Sequence, residues 1–175
     1  FILSIVGQIQ QANEKAHKLA DLAIHGNQSL KQSGPHSLND FIRQYIDAGF
    51  AIEGLKYELV QDNRAFDCKF DSSSIGIIID NIASNSVKAG ATILQISLEE
   101  RGKYVEIAFS DNGIGLAENI NPQSLFEWGF SSNRKKKGYG IGLYHIKQLV
   151  DEMNGTVEID TTYRRGFKLI VRLKK

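Results

Sequence analysis

Asn81, Asn85 and Lys88 are spaced by four and three residues, so a helix would bring all three onto one face. Two amides and an ammonium suit a divalent cation and a phosphate chain, because amide oxygens ligate hard cations and lysine supplies a point charge. Further along, Asp111-Asn112-Gly113-Ile114-Gly115 follows a segment that reads as a strand. A carboxylate at the end of a strand accepts hydrogen bonds and selects an amino-bearing base edge, and Gly113 and Gly115 allow close backbone approach to a ligand. Gly138-Tyr139-Gly140-Ile141-Gly142-Leu143 then runs into a helix beginning near Leu143. Converging N–H groups and the positive end of a helix favour a polyphosphate there. The spacing is neither a Walker loop nor the dinucleotide fingerprint. Each motif alone has a plainer account: a solvated helix face, a tight turn, a loop.

The intervening segments supply a scaffold for these residues. Residues 74–88 carry Ile75, Ile78, Ile79, Ile82 and Ala83 inward, with Asp71 as a cap and Gly90 as a stop. Segments 92–98 and 104–110 alternate as a β-hairpin turning at Arg101 and Gly102. A helix over 143–153 buries Ile146, Leu149 and Val150; Asn154-Gly155 makes a hairpin-like turn into a strand over 156–160, and a last strand covers 167–173. Upstream, Ser37 and Asp40 read as a capping box ahead of Phe41, Ile42, Tyr45 and Ile46, and short strands are expected over 57–61 and 65–69. This mixed order predicts an α+β sandwich with helices on one face of a mixed sheet.

The N-terminal stretch differs. Ile2, Ile5, Ile9, Ala12, Ala16, Leu19 and Ala23 follow steps of three and four, a coiled-coil-like seam that needs a partner helix. Ser33, Gly34 and Pro35 break it, giving a helix over 1–33 and a second domain over 34–175. The 175 residues hold 21 basic and 20 acidic side chains, a net charge of +1 that lacks the footprint of a nucleic-acid binder. The lone Cys68 makes no internal disulfide, and no Cys/His cluster has zinc spacing. No apolar run is long enough to span a bilayer. A cytoplasmic fragment of a longer protein, without membrane contact of its own, is the expectation, since the chain opens on Phe1.

Taken in order, the three motifs resemble the N, G1 and G2 boxes of the family that unites histidine kinases, DNA gyrase, mismatch-repair ATPases and the ninety-kilodalton heat-shock chaperone. The resemblance covers about residues 37–175 and implies a Bergerat-type two-layer sandwich binding Mg–ATP. By it, Asn85 holds Mg²⁺, Lys88 offsets phosphate charge, Asp111 accepts the adenine amine, and Gly138, Gly140 and Gly142, with Tyr139, Ile141 and Leu143, wrap the phosphates.

The branch is read from four features. Hydrolysing relatives carry a water-activating glutamate where this chain has Asn81, which is no general base. Lys88 stands where the mismatch-repair branch has aspartate, residues 125–132 resemble the kinase F box with Phe126 in the lid, and the lid is short. These imply phosphoryl transfer to a histidine on a dimerisation helix, a homodimer through residues 1–33, and a response-regulator receiver domain as partner.

Two departures stand out. Ala89 replaces the usual aromatic, so that Asn85-Ser86-Val87-Lys88-Ala89-Gly90-Ala91 echoes the mismatch-repair ATPases. His17, His25 and His36 do not match the acceptor pattern, which places the acceptor helix upstream of Phe1. A dimerising ATPase and a nucleotide-binding module without turnover are the alternatives. The basic residues at 134–137 are weighed equally between reaching the γ-phosphate and solvation, His145 is assigned to a surface or packing role, and Trp128 to covering the site or packing against Phe126 and Phe130.

Overall fold

The computed structural model describes residues 37–50, 52–60, 65–117, 120–130 and 140–175. The N-terminal seam, the linker, His17, His25, His36, the basic residues at 134–137, Gly138 and Tyr139 lie outside the described residues. Ser37–Lys175 form one compact unit.

In chain order this unit comprises α1 (Leu38–Tyr45) continued by a π-helical turn (Ile46–Phe50), β1 (Lys56–Val60), α2 (Ser72–Lys88), β2 (Ile93–Arg101), β3 (Tyr104–Asp111), a 3₁₀ turn (Pro122–Phe126), α3 (Gly142–Glu152), β4 (Thr156–Ile159) and β5 (Lys168–Lys174). The strands form one sheet in the order β1-β2-β3-β5-β4. β1 runs parallel to β2, which obliges the chain to cross over, and α2 is that crossover. All other pairings are antiparallel.

Alternation decides the faces. Leu94, Ile96 and Leu98 of β2, Val105, Ile107 and Phe109 of β3, and Leu169, Val171 and Leu173 of β5 are all buried. Register aligns them in rows, Ile96 opposite Phe109 and Ile107 opposite Val171. The helices complete the core with Leu38, Ile42 and Tyr45 from α1, Ile75, Ile78, Ile79 and Ile82 from α2, and Ile146, Leu149 and Val150 from α3. Each fully buried isoleucine contributes roughly 1.5–3 kcal/mol. The opposite face is mostly polar apart from Ala108 and Ile170, and Arg172 bridges two strands there, bonding Glu106 at 2.8 Å and Glu158 at 2.6 Å. The result is the expected α+β two-layer sandwich.

The same alternation, Val105, Ile107, Phe109, Asp111, delivers a carboxylate to the helix-facing side of the sheet. Asp111 is only 4% exposed. The ends of α2 are also set locally. Asp71 accepts from the Ser74 N–H at 2.6 Å. At the other end, Gly90 N–H bonds Val87 O and Ala91 N–H bonds Ser86 O.

Four local expectations are corrected. Residues 65–70 form no strand, because their backbone is spent on the start of α1: Leu38 N–H donates to Phe66 O, and Phe66 N–H donates to Asn39 Oδ1 at 3.1 Å. Ser37 precedes α1 without a side-chain cap bond, since its hydroxyl donates to Asn39 instead. The β2–β3 turn falls one residue later, at Gly102 and Lys103. Asn154 is a helix stop with φ +55° rather than part of a hairpin turn, and Gly155 N–H closes back on Val150 O. Among the described residues no helix is long and apolar enough to cross a membrane.

Candidate functional site

The site is organised along α2. Asn81 and Asn85 are half-buried on one stripe, and Lys88 is exposed in the last turn, where its charge also suits the negative end of the helix. Asn81 Nδ2 donates to Ile77 O at 2.9 Å, which commits its amine to the helix backbone. The start of α3 comes directly against this stripe. A Cβ added at Gly142 would lie 3.2 Å from Asn81 Oδ1 and 3.5 Å from Asn85 Nδ2. A Cβ there would oblige the Asn81 side chain to give by a few tenths of an ångström, so glycine eases the approach. Ile141 precedes α3 without a side-chain cap bond, so the first-turn N–H groups of α3 are presented beside the two asparagines.

At the other end of the stripe lies the Asp111 carboxylate. Oδ1 accepts from Gly113 N–H at 2.9 Å and from Phe167 N–H at 3.1 Å, while Oδ2 accepts from Ser86 Oγ at 2.8 Å. Three donors from three segments hold one carboxylate. Asn112 pins the same loop to the start of β2, its Oδ1 accepting from Thr92 N–H and Ile93 N–H. Gly113 and Gly115 serve contacts within the protein: a Cβ at Gly113 would meet Ala89 Cβ at 2.9 Å, and one at Gly115 would meet Gly166 O at 2.7 Å. Their smallness is therefore required by close backbone packing, not only by a ligand.

The segment 125–130 meets the glycine loop. Gly129 N–H donates to Gly140 O at 3.2 Å, and a Cβ at Gly140 would collide with Phe130 O at 2.3 Å. Phe126 is buried in the 3₁₀ turn that packs on α3. Trp128 stacks neither on Phe126 nor on Phe130: 67% exposed, it sets its edge against Tyr144 of α3, ring centroids 5.1 Å apart at 88°. Leu143, in the first turn of α3, is half-buried.

Asp80, beside Asn81, belongs to a different arrangement. It hydrogen bonds the Tyr45 hydroxyl, and burial together with this carboxylate pushes the Tyr45 hydroxyl far above its ordinary range. Burial raises the Cys68 thiol to about 11, so it is a poor nucleophile at neutral pH.

Two contributors to the Asp111 cradle were absent from the sequence reading. Ser86 falls on the buried stripe Ile75, Ile79, Ile82, Ser86, where a hydroxyl among isoleucines is the available signal. Phe167 has none, since it lies 56 residues from Asp111 and acts through its backbone.

The Asn85 side chain could offer an amide oxygen to a hard cation such as magnesium. Among the described residues no group of three or more His, Cys, Asp and Glu could hold a metal by itself. Such a cation would arrive on phosphates and keep most of its water, the phosphates themselves facing the first-turn N–H groups of α3.

Residues 70–175 match the family described as histidine kinase-, DNA gyrase B- and HSP90-like ATPases, and the chain belongs to that family. It is 30% identical over 112 residues to a probable C4-dicarboxylate sensor kinase of Bacillus subtilis, covering 59% of this chain and 21% of that protein. It is 33% identical over 102 residues to the sensor-type histidine kinase PrrB of Mycobacterium tuberculosis, covering 58% and 23%. The matched region thus spans about a fifth to a quarter of these relatives. Among solved structures, the ATP binding domain of PrrB from Mycobacterium tuberculosis superimposes with a TM-score of 0.61 at 27% identity, over 79% of this chain and 93% of that one. The mycobacterial sensor histidine kinase MprB shares the fold, with a TM-score of 0.64 at 22% identity over 79% and 95%.

Proposed function

We propose that this domain binds Mg–ATP and serves as the catalytic domain of a sensor histidine kinase, passing the γ-phosphate to a histidine on a dimerisation helix. The observation that carries the reading is that one helix holds both ends of the site. Ser86 and the buried Asp111 carboxylate form a base-reading end, and Asn81 and Asn85 against the α3 N-terminus form a phosphate end. Asn81 and Asn85 lie five residues and one residue before Ser86, so the phosphate end reaches from about 1.5 to 7.5 Å along the axis from Ser86.

In this reading Asp111 accepts from the exocyclic amine of adenine, and the first-turn N–H groups of α3 bind phosphate oxygens. Asn85 holds the magnesium ion, whose charge helps to neutralise the phosphates. Lys88 offsets further charge. Phosphoryl transfer needs chiefly positioning and charge compensation, and these residues supply both.

Hydrolysis is a different matter. The amide of Asn81 accepts no proton and its amine is bonded to Ile77 O, while Asp80 is engaged with Tyr45. General-base help is worth roughly 10²–10⁴ in rate, so ATP should survive long incubation with this domain. Incubation with γ-labelled ATP provides the test: the full-length protein should gain acid-labile phosphate, and the domain alone should release little. Steady release by the domain at rates typical of hydrolysing relatives would refute the kinase reading in favour of a dimerising ATPase. Binding without either product would indicate a nucleotide-binding module.

The expected homodimer through residues 1–33 and a receiver-domain partner belong to the same proposal. So does a cytoplasmic placement.

A further inference from the structure

Ser86 is 1% exposed, and its hydroxyl donates to Asp111 Oδ2 at 2.8 Å. We infer that Ser86 is the positioning residue that makes the Asp111 pocket selective for a 6-amino purine over a 6-oxo purine. This rests on the proposed role of Asp111 in accepting the base amine.

The argument is a count of lone pairs. A carboxylate offers about four acceptor positions. Oδ1 spends both of its positions on Gly113 N–H and Phe167 N–H. Ser86 takes one on Oδ2, leaving a single acceptor in a direction fixed from three sides. The only proton of the Ser86 hydroxyl is committed to Asp111, so toward a base this oxygen can only accept. What the Asp111 carboxylate offers purine position 6 is therefore acceptor only, with no Ser86 proton to spare: it welcomes an amine and repels a carbonyl.

Without the hydroxyl, Oδ2 recovers a second acceptor position and loses its tether. With Oδ1 still held by Gly113 and Phe167, the freed position on Oδ2 can accept the N1–H that hypoxanthine and guanine carry and adenine lacks. Discrimination narrows even though Asp111 is intact. The backbone has no comparable substitute, because Ser86 O is already occupied by Ala89 N–H and Ala91 N–H at the end of α2.

Inosine diphosphate is the informative probe, since it differs from ADP only by having oxygen for the amine at position 6 and a proton at N1. Calorimetry should show the unmodified chain preferring ADP, with Ser86→Ala cutting the ADP-over-inosine-diphosphate ratio by about tenfold, the scale of one hydrogen bond to a charged group. Ser86→Cys, of similar volume with a weak donor, should give an intermediate ratio, and it carries the test if the alanine variant does not fold. The ratio separates the two roles: a purely structural serine would lower the melting temperature and weaken both ligands equally, leaving the ratio unchanged. An unchanged ratio in variants that still bind ADP overturns the inference while leaving the nucleotide reading intact. No binding of either ligand by the unmodified chain overturns both.

Discussion

Alanine at Gly166 would place a Cβ 2.0 Å from the carbonyl oxygen of Asp111 and 2.8 Å from its Oδ1. Both contacts are shorter than atoms tolerate, and the nearer one is to backbone, so no side-chain rotation relieves it. Gly166 also has φ +154°, a conformation costly for any residue with a Cβ. A control isolates the two effects. Gly102, at φ +62° in the β2–β3 turn, has nothing within 4 Å of its Cβ position, so alanine there costs only backbone strain, about 1–2 kcal/mol. At Gly166 the displaced backbone adds overpacking of about 1–3 kcal/mol. For a domain of this size roughly 4 °C accompanies each kcal/mol, so Gly166→Ala should melt about 4–12 °C below Gly102→Ala. The displaced atoms include the carboxylate and the neighbouring Phe167 N–H that donates to it, so ADP affinity should fall at Gly166 and not at Gly102. Differential scanning calorimetry with and without ADP reads both quantities. Equal melting temperatures for the two variants would refute the close-approach argument.

Asp111→Asn keeps an oxygen for Gly113 and Phe167 but turns a donor toward the base amine; ADP binding should weaken by about 1.5–3 kcal/mol in calorimetry, and an affinity within about twofold of the original would remove Asp111 from its role. Asn85→Ala, at a half-buried position, should leave the melting temperature nearly unchanged while abolishing the difference between ATP affinity in magnesium and in chelator. Persistence of that difference would free Asn85 of the metal. The hydrogen bond from Arg172 holds the Glu158 carboxyl below its ordinary range. A depressed folded value means stability that is full above the unfolded value, near 4.3, and lost as pH falls through the folded one. With Glu158 half exposed the contribution should stay below about 1 kcal/mol, visible as a shallower acid limb in Glu158→Gln, and identical limbs would contradict it.

Where a pattern is local, the sequence reveals it. The isoleucine spacing of α2, the cap at Asp71 and the stop at Gly90 all form as read, because helix periodicity and end chemistry are written within a few residues. The strand alternation likewise determines the faces of the sheet, including the side on which Asp111 falls. What escapes is the use of backbone at a distance. Residues 65–70 have the composition of a strand, yet Phe66 pairs with Leu38 and Asn39, 27 or more residues away. The Asp111 cradle borrows an N–H from Phe167, and a donor common to nearly every residue leaves no mark in sequence. Glycines were legible as glycines, but their neighbours were not: Gly115 lies against Gly166, and Gly140 against Phe130.

Chain order and spatial order disagree in one place, and this bears on synthesis. β5 is the last strand in sequence, yet it sits between β3 and β4, and the residue just before it completes the hold on Asp111. During translation β2 and β3 can pair as soon as they emerge, whereas β4 must wait for the strand that follows it. The Asp111 cradle, the proposed base-reading end, is thus assembled only after nearly the whole domain has left the ribosome. A nascent chain stalled before residue 166 would carry α2 and α3, the helices of the proposed phosphate end, but no finished Asp111 cradle, and on that proposal nucleotide would have little with which to stabilise it until Phe167 arrives.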